Sequence, residues 1–182
     1  MDESQSLFDR ALDLVLRHEG GFVDDPRDAG GATKFGVSLR FLQGLPDGDV
    51  DGDGDVDAGD IRALTRERAA EIYRREWWDK YDYEALARAG GELLAIKVFD
   101  LAINMGPRRA HRLLQEALAE CGHAVAVDGV IGPRTRAAVA ACDRADLLRA
   151  FQYRAISFYR SLHRPEYLAG WLRRVGDFEG VA

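Results

Sequence analysis

The sequence predicts a mainly α-helical fold for this chain of 182 residues. Apolar residues recur at helical spacing along most of the chain, and alternating strand patterns are nearly absent. With 47% hydrophobic residues the chain can bury one good core. Apolar residues are spread evenly and no long Pro/Ser/Gly linker interrupts them. We therefore expect one compact body rather than two linked domains.

The first predicted helix ends at a glutamate. Apolar residues repeat at helical spacing over residues 7–16, and Gly20 and Gly21 directly follow Glu19. A glycine pair stops a helix because glycine favours irregular backbone. Glu19 is therefore predicted to lie at a helix C-terminus, where the helix dipole disfavours an anion and its presence needs a reason.

A polar, glycine-rich loop is predicted over residues 22–33, followed by a short helix near residues 38–43. The sequence Phe-Gly-Val-Ser at residues 35–38 can pair with Gly-Phe-Val at residues 21–23. We expect a small hairpin there.

Helices dominate the remainder of the chain. Thr65 is predicted to cap a helix that runs to residue 78, and proline stands at the first position of two later helices. The later predicted helices cover residues 91–104, 107–120, 133–141, 145–162 and 165–175. The arginines between residues 149 and 174 are expected on the solvated side of the last two, where they can also meet an anionic wall.

Residues 49–60, DVDGDGDVDAGD, predict a calcium-binding loop of the EF-hand type. Such a loop supplies carboxylates at its first, third, fifth and twelfth positions, a backbone carbonyl at the seventh, and glycine at the sixth. The metal ligands predicted on this pattern are Asp49, Asp51, Asp53, Asp55 through its carbonyl, and Asp60. Gly54 falls at the turn, Val56 at the apolar position, and Asp57 where a ligand often acts through water.

The alternative to a calcium loop is a solvated acidic linker. Asp60 closes the loop where glutamate is commoner, so a weaker affinity or a changed metal preference is expected. The segment also resembles one calcium repeat of a dockerin, but dockerins need two repeats, so binding to a cohesin is not expected. We predict a structural calcium ion and no cofactor for catalysis.

The acidic loop accounts for the charge of the chain. The chain holds 25 Lys and Arg against 31 Asp and Glu, a net charge of −6, and the loop alone contains six aspartates. In the rest of the chain, the positive and negative charges are therefore equal in number. Phosphate neutralisation needs a strongly basic face, so no nucleic-acid partner is predicted.

The N-terminal sequence MDESQSLFDR contains no apolar signal-peptide core, and no apolar run reaches transmembrane length. We expect synthesis in the cytoplasm without a signal peptide, no stable membrane insertion, and a monomer. Cys121 and Cys142 are too few for a disulfide framework. They are expected to be small buried residues, with a disulfide between them left open.

The segment from Glu19 to residue 38 favours glycoside hydrolysis. This reaction needs one protonated carboxyl to protonate the leaving oxygen and a second carboxylate to orient water or stabilise the sugar cation. Glu19 follows an apolar helix, so partial burial can prepare it as the acid. Asp28 is the preferred second carboxylate, and Asp24 and Asp25 compete with it.

Successive blocks of the sequence resemble the muramidases of glycoside hydrolase family 108. The blocks are EGGFVDDPRDAGGATKFGVS, LTRERAAEIYRREWWDKY, FDLAINMGPRRAHRLLQEAL, VDGVIGPRTRAAVAA and FYRSL with GWLRRV. They follow in order along nearly the whole chain. The resemblance implies a lysozyme-like helical fold, cleavage of the peptidoglycan glycan strand, and a catalytic glutamate at Glu19.

The resemblance also implies that the two halves of the chain have different functions. Residues 1–92, with the calcium loop 49–60, correspond to a catalytic half, and residues 93–182 to a predicted peptidoglycan-binding region packed into the same globule. Glu19, Asp28 and Thr33 are similar in spacing to the Glu, Asp and Thr of phage lysozymes, with one residue fewer before the threonine. Thr33 is accordingly a candidate for orienting water.

Further residues are predicted to contact the substrate. They are Asp25, Phe35, Tyr73, Trp77, Trp78 and Asn104. The two adjacent tryptophans cannot both face the core, so one is expected to pack inside while the other stacks on a sugar. Asn104 is expected either to cap its helix or to hydrogen-bond an N-acetyl group. His18 is expected to be a packed or surface residue.

Three functions remain open on the sequence. The leading one is an N-acetylmuramidase, of the endolysin kind made by phages or of a related wall-remodelling kind, which acts on the cell wall after release. A lytic transglycosylase would need only the acid Glu19, because the muramic 6-hydroxyl attacks. A non-catalytic, calcium-dependent wall-binding module would bind peptidoglycan without cleaving it.

Overall fold

The computed structural model describes residues 5–19 and 31–177, which are mainly helical, as predicted. The elements are α1 (Leu7–Glu19), β1 (Thr33–Lys34), β2 (Val37–Ser38), α2 (Leu39–Leu42), α3 (Ala58–Ala63), α4 (Arg66–Tyr73), a π-helical turn (Arg74–Asp79), α5 (Tyr83–Gly90), α6 (Glu92–Met105), α7 (Pro107–Glu120), α8 (Pro133–Ala141), α9 (Arg144–Ser161) and α10 (Pro165–Gly176).

Local capping determines where several helices begin. The Thr65 hydroxyl accepts a hydrogen bond from the Arg68 amide at 3.1 Å, which caps α4 as predicted. Pro107 and Pro133 stand at the starts of α7 and α8, where the missing N–H of proline has no helical partner to lose. These starts follow from short-range sequence rules alone.

The chain forms two compact units. One comprises residues 1–14 and 74–182, and the other comprises residues 15–73. The division predicted from the sequence, into halves 1–92 and 93–182, concerns function and stays a prediction.

The first unit is built around an aromatic cluster. The Trp78 ring lies edge-on to the rings of Phe8 and Phe99, with centroids 5.6 and 5.2 Å apart, and Tyr83 lies 5.8 Å from Trp78. Edge-to-face rings of this kind add to the free energy gained from burying their area. Helices α6, α7 and α9 pack next to one another in the same unit.

The second unit holds a short antiparallel hairpin and three helices among its described residues. Thr33 pairs with Ser38 and Lys34 with Val37, so only two residues form the turn. Leu42, Ile61 and Leu64 are fully buried and supply its core.

Several features differ from the sequence expectations. Helix α5 was not predicted, although Asp82 caps it by accepting a hydrogen bond from the Ala85 amide at 3.2 Å. Strand β2 pairs with β1, and its expected partner, residues 21–23, lies outside the described residues. Both cysteines are free thiols. In the described part of the chain, the helices are too short or too polar to cross a bilayer.

Candidate active site

Glu19 ends helix α1 and packs against the turn of the hairpin. Gly36 in that turn has φ +77°, and a Cβ atom added to it would lie 2.7 Å from Glu19 Cγ and 3.0 Å from Glu19 Cβ. Those distances are too short for a side chain. Glycine at this position therefore allows the hairpin backbone to approach the glutamate directly.

The turn itself requires an unusual backbone. Phe35 has φ +53° and Gly36 has φ +77°, so both central residues of the two-residue turn are left-handed. Positive φ at both positions defines the type I′ turn, whose twist matches that of paired strands. Phe35 is an uncommon residue for this conformation and needs support from its surroundings.

Tyr73 provides that support. Its side chain is only 1% exposed, and its hydroxyl donates a hydrogen bond to the Phe35 carbonyl at 2.9 Å. The same hydroxyl oxygen faces Gly36 so closely that no Cβ fits between them. Tyr73 and Gly36 therefore fix the turn against which the Glu19 side chain rests.

Thr33 and Lys34 lie in the first strand of the hairpin, where both are half-buried. The Thr33 hydroxyl donates to the Gly31 carbonyl at 3.3 Å. The Lys34 ammonium donates to the Arg62 carbonyl at 2.6 Å, which links the hairpin to the end of α3. The role of Thr33 in orienting water stays a prediction.

The acidic loop leads directly into α3. The carboxylates of Asp49, Asp51 and Asp53 form one group and those of Asp55, Asp57 and Asp60 another, with ligand oxygens inside each group within 4.8 Å of one another. A hydrogen bond from the Gln43 side chain to the Val56 carbonyl, 3.0 Å long, ties the loop to the residue after α2.

Asp60 closes the acidic loop from the inside. It is 1% exposed, and it accepts hydrogen bonds from the amides of Val50 at 2.5 Å, Asp51 at 3.3 Å and Asp57 at 2.7 Å. These bonds, that from Asp57 first, lower the pKa of Asp60, so it stays ionised. Asp60 and Asp57 also form a capping box at the start of α3.

Repulsion acts within the loop. The pKa of Asp55 is raised mainly by the negative charge of Asp53. The pKa of Asp51 is raised mainly by partial loss of hydration, and the charge of Asp53 is the second cause. Raised values mean that the ionised carboxylates destabilise one another. A divalent cation placed among them would remove that repulsion, so the donor set fits calcium.

The other predicted substrate residues lie in the first unit. Trp78 is 2% exposed and packs in the aromatic core, so it is the inner member of the tryptophan pair. Trp77 is half-buried, and stacking on a sugar stays a prediction for it. Asn104 is exposed, and its side-chain oxygen accepts a hydrogen bond from the Tyr159 hydroxyl at 2.7 Å. Helix α6 ends at Met105, and its C-cap is Gly106 rather than Asn104.

The predicted residues therefore lie in separate parts of the chain. Glu19, Phe35 and Tyr73 meet at Gly36 in the second unit. Tyr73 is too buried to offer a ring face to a sugar, so its observed role is to hold the turn. Asp24, Asp25 and Asp28 lie outside the described residues, and their predicted roles stay predictions.

Comparison with known proteins identifies the family. The family profile described as Glycosyl hydrolase 108 matches residues 12–106, more than half of the chain. The chain belongs to glycosyl hydrolase family 108. A second profile, described as Predicted Peptidoglycan domain, matches residues 109–176. A search of curated proteins found no match.

Solved structures agree with this family 108 assignment. Eleven chains of known structure match. The structure of Brucella abortus SagA is similar to this chain with 32% sequence identity and a TM-score of 0.72, over 92% of this chain and 88% of that one. The protein is therefore a glycoside hydrolase. The two matched regions together support peptidoglycan as its substrate.

Sequence reasoning missed the part played by Gly36. The sequence contained an indication of it, because an isolated glycine among strand-forming residues such as Thr33, Phe35 and Val37 indicates a turn or a close approach of the backbone. The approach of that turn to Glu19 depends on the tertiary structure.

Proposed function

We propose that this family 108 protein is an N-acetylmuramidase that hydrolyses the β-1,4 bond between N-acetylmuramic acid and N-acetylglucosamine in peptidoglycan. The observation that carries the proposal is the fixed position of Glu19, which ends a helix and packs against Gly36, the residue of the hairpin turn that has no side chain. A catalytic acid must be held in place, because small displacements from the productive geometry cost large factors in rate.

Glu19 acts as the general acid in this proposal. Its carboxyl proton passes to the oxygen that links C1 of the muramic unit to C4 of the glucosamine unit, and the bond from C1 to that oxygen breaks. A water oxygen then forms the new bond to C1, and its proton passes to a second carboxylate. Asp28 is the proposed second carboxylate, with Asp24 and Asp25 as alternatives, and Thr33 is proposed to orient the water.

The decisive experiment compares wild-type protein with Glu19→Gln on purified peptidoglycan. Glutamine preserves the shape of glutamate and removes the acidic proton. We expect the variant to lose at least about a hundredfold in rate, since general acid catalysis contributes on the order of 10²–10⁴. Glu84→Gln, an exposed glutamate on α5, is the matched control and should retain full activity. A fully active Glu19→Gln would remove the assignment.

Mass spectrometry of the released fragments separates the rival functions. Reducing muramic ends support the muramidase. Fragments with 1,6-anhydro ends would make the protein a lytic transglycosylase, in which the 6-hydroxyl of the muramic unit replaces water. A protein that binds peptidoglycan and releases nothing would be a wall-binding module.

We further propose that the acidic loop, residues 49–60, binds one structural calcium ion. The support is the EF-hand-like order of its aspartates, the buried carboxylate of Asp60 at its end, and the mutual repulsion of the others. One Ca²⁺ would bring the net charge of the chain from −6 to −4. Because Lys34 links the hairpin to Arg62 in the last turn of α3, the helix at the end of the loop, ion loss would affect activity indirectly, through the hairpin.

Calcium binding is tested by calorimetry and by thermal unfolding with and without chelator. A ligand present at about 100 times its Kd stabilises the folded state by about 2.7 kcal/mol. For a chain of this size that corresponds to a rise in Tm of roughly 5–11 °C. Asp60→Asn should abolish the calcium-dependent rise in Tm. Glu67→Gln, which lies outside the loop, should retain that rise. An unchanged Tm and no heat of binding would refute the site.

For location and assembly, we propose a monomer that is made in the cytoplasm and reaches the cell wall after release, as a phage endolysin does. The match of residues 109–176 to the Predicted Peptidoglycan domain supports action at the cell wall. Sedimentation of the purified chain tests the monomer, and fractionation of producing cells tests the location.

A further inference from the structure

The loop between α7 and α8 is held from the inside by two buried side chains. The His111 ring nitrogen Nδ1 lies 3.0 Å from the Gly129 carbonyl, and since a carbonyl only accepts, Nδ1 carries the proton. The Gln115 side-chain oxygen accepts from the Gly129 amide at 2.8 Å, and its nitrogen donates to the Asp128 carboxylate at 2.8 Å. Both backbone groups of Gly129 are therefore fixed.

An open groove of about 820 Å³ lies on this loop and the start of α8. Its walls include the small apolar side chains of Ala124, Ala126, Val130 and Pro133. Val130 is 63% exposed, so its side chain is accessible to a bound molecule. The residues that line the groove include no aromatic side chain.

Two opposite charges also line the groove. The Asp128 carboxylate accepts from Gln115 and from the Val130 amide through one oxygen, Oδ1, at 2.8 Å each. Arg134 is exposed in the first turn of α8, and within the described residues it has no ion-pair partner. The groove thus offers an anion, a cation and apolar walls together.

The backbone of the same loop is available for pairing. Over residues 124–127, no backbone hydrogen bond joins the chain to any other described residue. Unpaired N–H and C=O groups along this segment can hydrogen-bond to the backbone of a bound peptide. A fixed loop of this kind loses little freedom on binding.

We propose that this groove binds the peptide stem of peptidoglycan, so that the protein recognises the peptide as well as the glycan strand. Alanine methyl groups fit the apolar walls, the stem carboxylates face Arg134, and the ammonium of a diamino acid faces Asp128. A sugar is the poorer fit, because sugar sites use aromatic rings as stacking surfaces and this groove has none. The inference rests on the proposed function and names a second part of the same substrate.

A titration followed by NMR tests the site without catalysis. The ligand is a synthetic stem pentapeptide of L-alanine, γ-linked D-glutamate, L-lysine and two D-alanines, added to ¹⁵N-labelled protein. We expect saturable shifts of the amide signals of residues 124–134, and their loss in Arg134→Ala. Arg88→Ala, an exposed arginine on α5, is the matched control and should bind normally. No shift, or shifts produced instead by chitotetraose, would overturn the proposal.

Kinetics on two substrates separate this proposal from the muramidase assignment. Intact peptidoglycan is compared with glycan strands stripped of peptides by an amidase. Arg134→Ala should raise KM about tenfold on intact material and leave kcat unchanged, as expected for the loss of one charge-assisted contact. On stripped strands the variant should equal wild type. If wild type and variant have equal KM values on both substrates, the groove does not bind the peptide stem, and the muramidase assignment stands. If wild type cleaves neither substrate, the assignment fails and the titration alone decides the groove.

Discussion

Gly36→Ala tests how the hairpin turn positions Glu19. An alanine Cβ would lie 2.7 Å from Glu19 Cγ, whereas carbon atoms in contact lie about 3.5–4.0 Å apart. The glutamate must therefore move by about 1 Å, or the turn must open. A displacement of that size costs on the order of a hundredfold in rate. We expect kcat to fall by that factor on purified peptidoglycan, with KM little changed.

Gly36→Ala should also lower the free energy of unfolding, for two reasons. Alanine at φ +77° costs about 1–2 kcal/mol, and crowding against Glu19 and Tyr73 costs about 1–3 kcal/mol more. The sum of about 2–5 kcal/mol corresponds to a fall in Tm of roughly 4–20 °C for a chain of this length. Circular dichroism during heating measures it.

Gly31→Ala provides the matched control. Gly31 has φ +72°, so alanine suffers the same backbone strain, but its Cβ would lie 3.4 Å from Leu39 Cβ, which is an ordinary contact. We expect this variant to lose about 1–2 kcal/mol and to keep its kcat. If Gly36→Ala retained a kcat within twofold of Gly31→Ala, Gly36 would not position Glu19, and the reasoning would be wrong.

Three further predictions concern single side chains. Tyr73→Phe removes the hydrogen bond to the Phe35 carbonyl, so unfolding experiments in urea should show a loss of about 1–1.5 kcal/mol, and kcat should fall severalfold; an unchanged kcat would contradict the role of the hydroxyl. Burial lowers the pKa of His111 below 6.5, so the unfolded state takes up the proton first. The free energy of unfolding, measured in urea, should therefore fall as the pH drops from 6.5 towards the lowered pKa of His111. His111→Gln should make the free energy of unfolding less dependent on pH in that range. The same pH dependence in wild type and variant would refute this role of His111. Burial, followed by a hydrogen bond with Cys121, raises the pKa of Cys142 to about 11, so iodoacetamide at pH 8 should alkylate Cys121 first, which peptide mapping by mass spectrometry can measure; preferential labelling of Cys142 would contradict this order.

Charge in the sequence was a poor guide to burial. The arginines of residues 149–174 were expected on a solvated face, yet the Arg174 guanidinium is buried and lies 2.9 Å from Asp100. Lys97 is also fully buried and donates to the carbonyls of Arg174 and Asp177 at 2.9 and 2.6 Å. The sequence spacing of Lys97 and Asp100 shows a pair on one helix face, but its burial depends on α10, which lies more than 60 residues away.

The sequence by itself determined the features that depend on near neighbours. Helix periodicity, the Thr65 cap, the prolines of α7 and α8, and the end of α1 at Glu19 all follow from interactions across a few residues, and the structure confirms them. The order of aspartates in residues 49–60 predicts a metal loop for the same reason. The family blocks predicted the glycoside hydrolase because they preserve chemistry and order together.

Only the tertiary structure decided which side chains meet. It placed Tyr73 and Gly36 around Glu19, made Trp78 rather than Trp77 the core residue, and fixed the α7–α8 loop by His111. These contacts join residues 17–70 positions apart, and no local rule specifies them. Their energies come from close packing and from hydrogen bonds in buried surroundings, which exist only once the distant segments are in place.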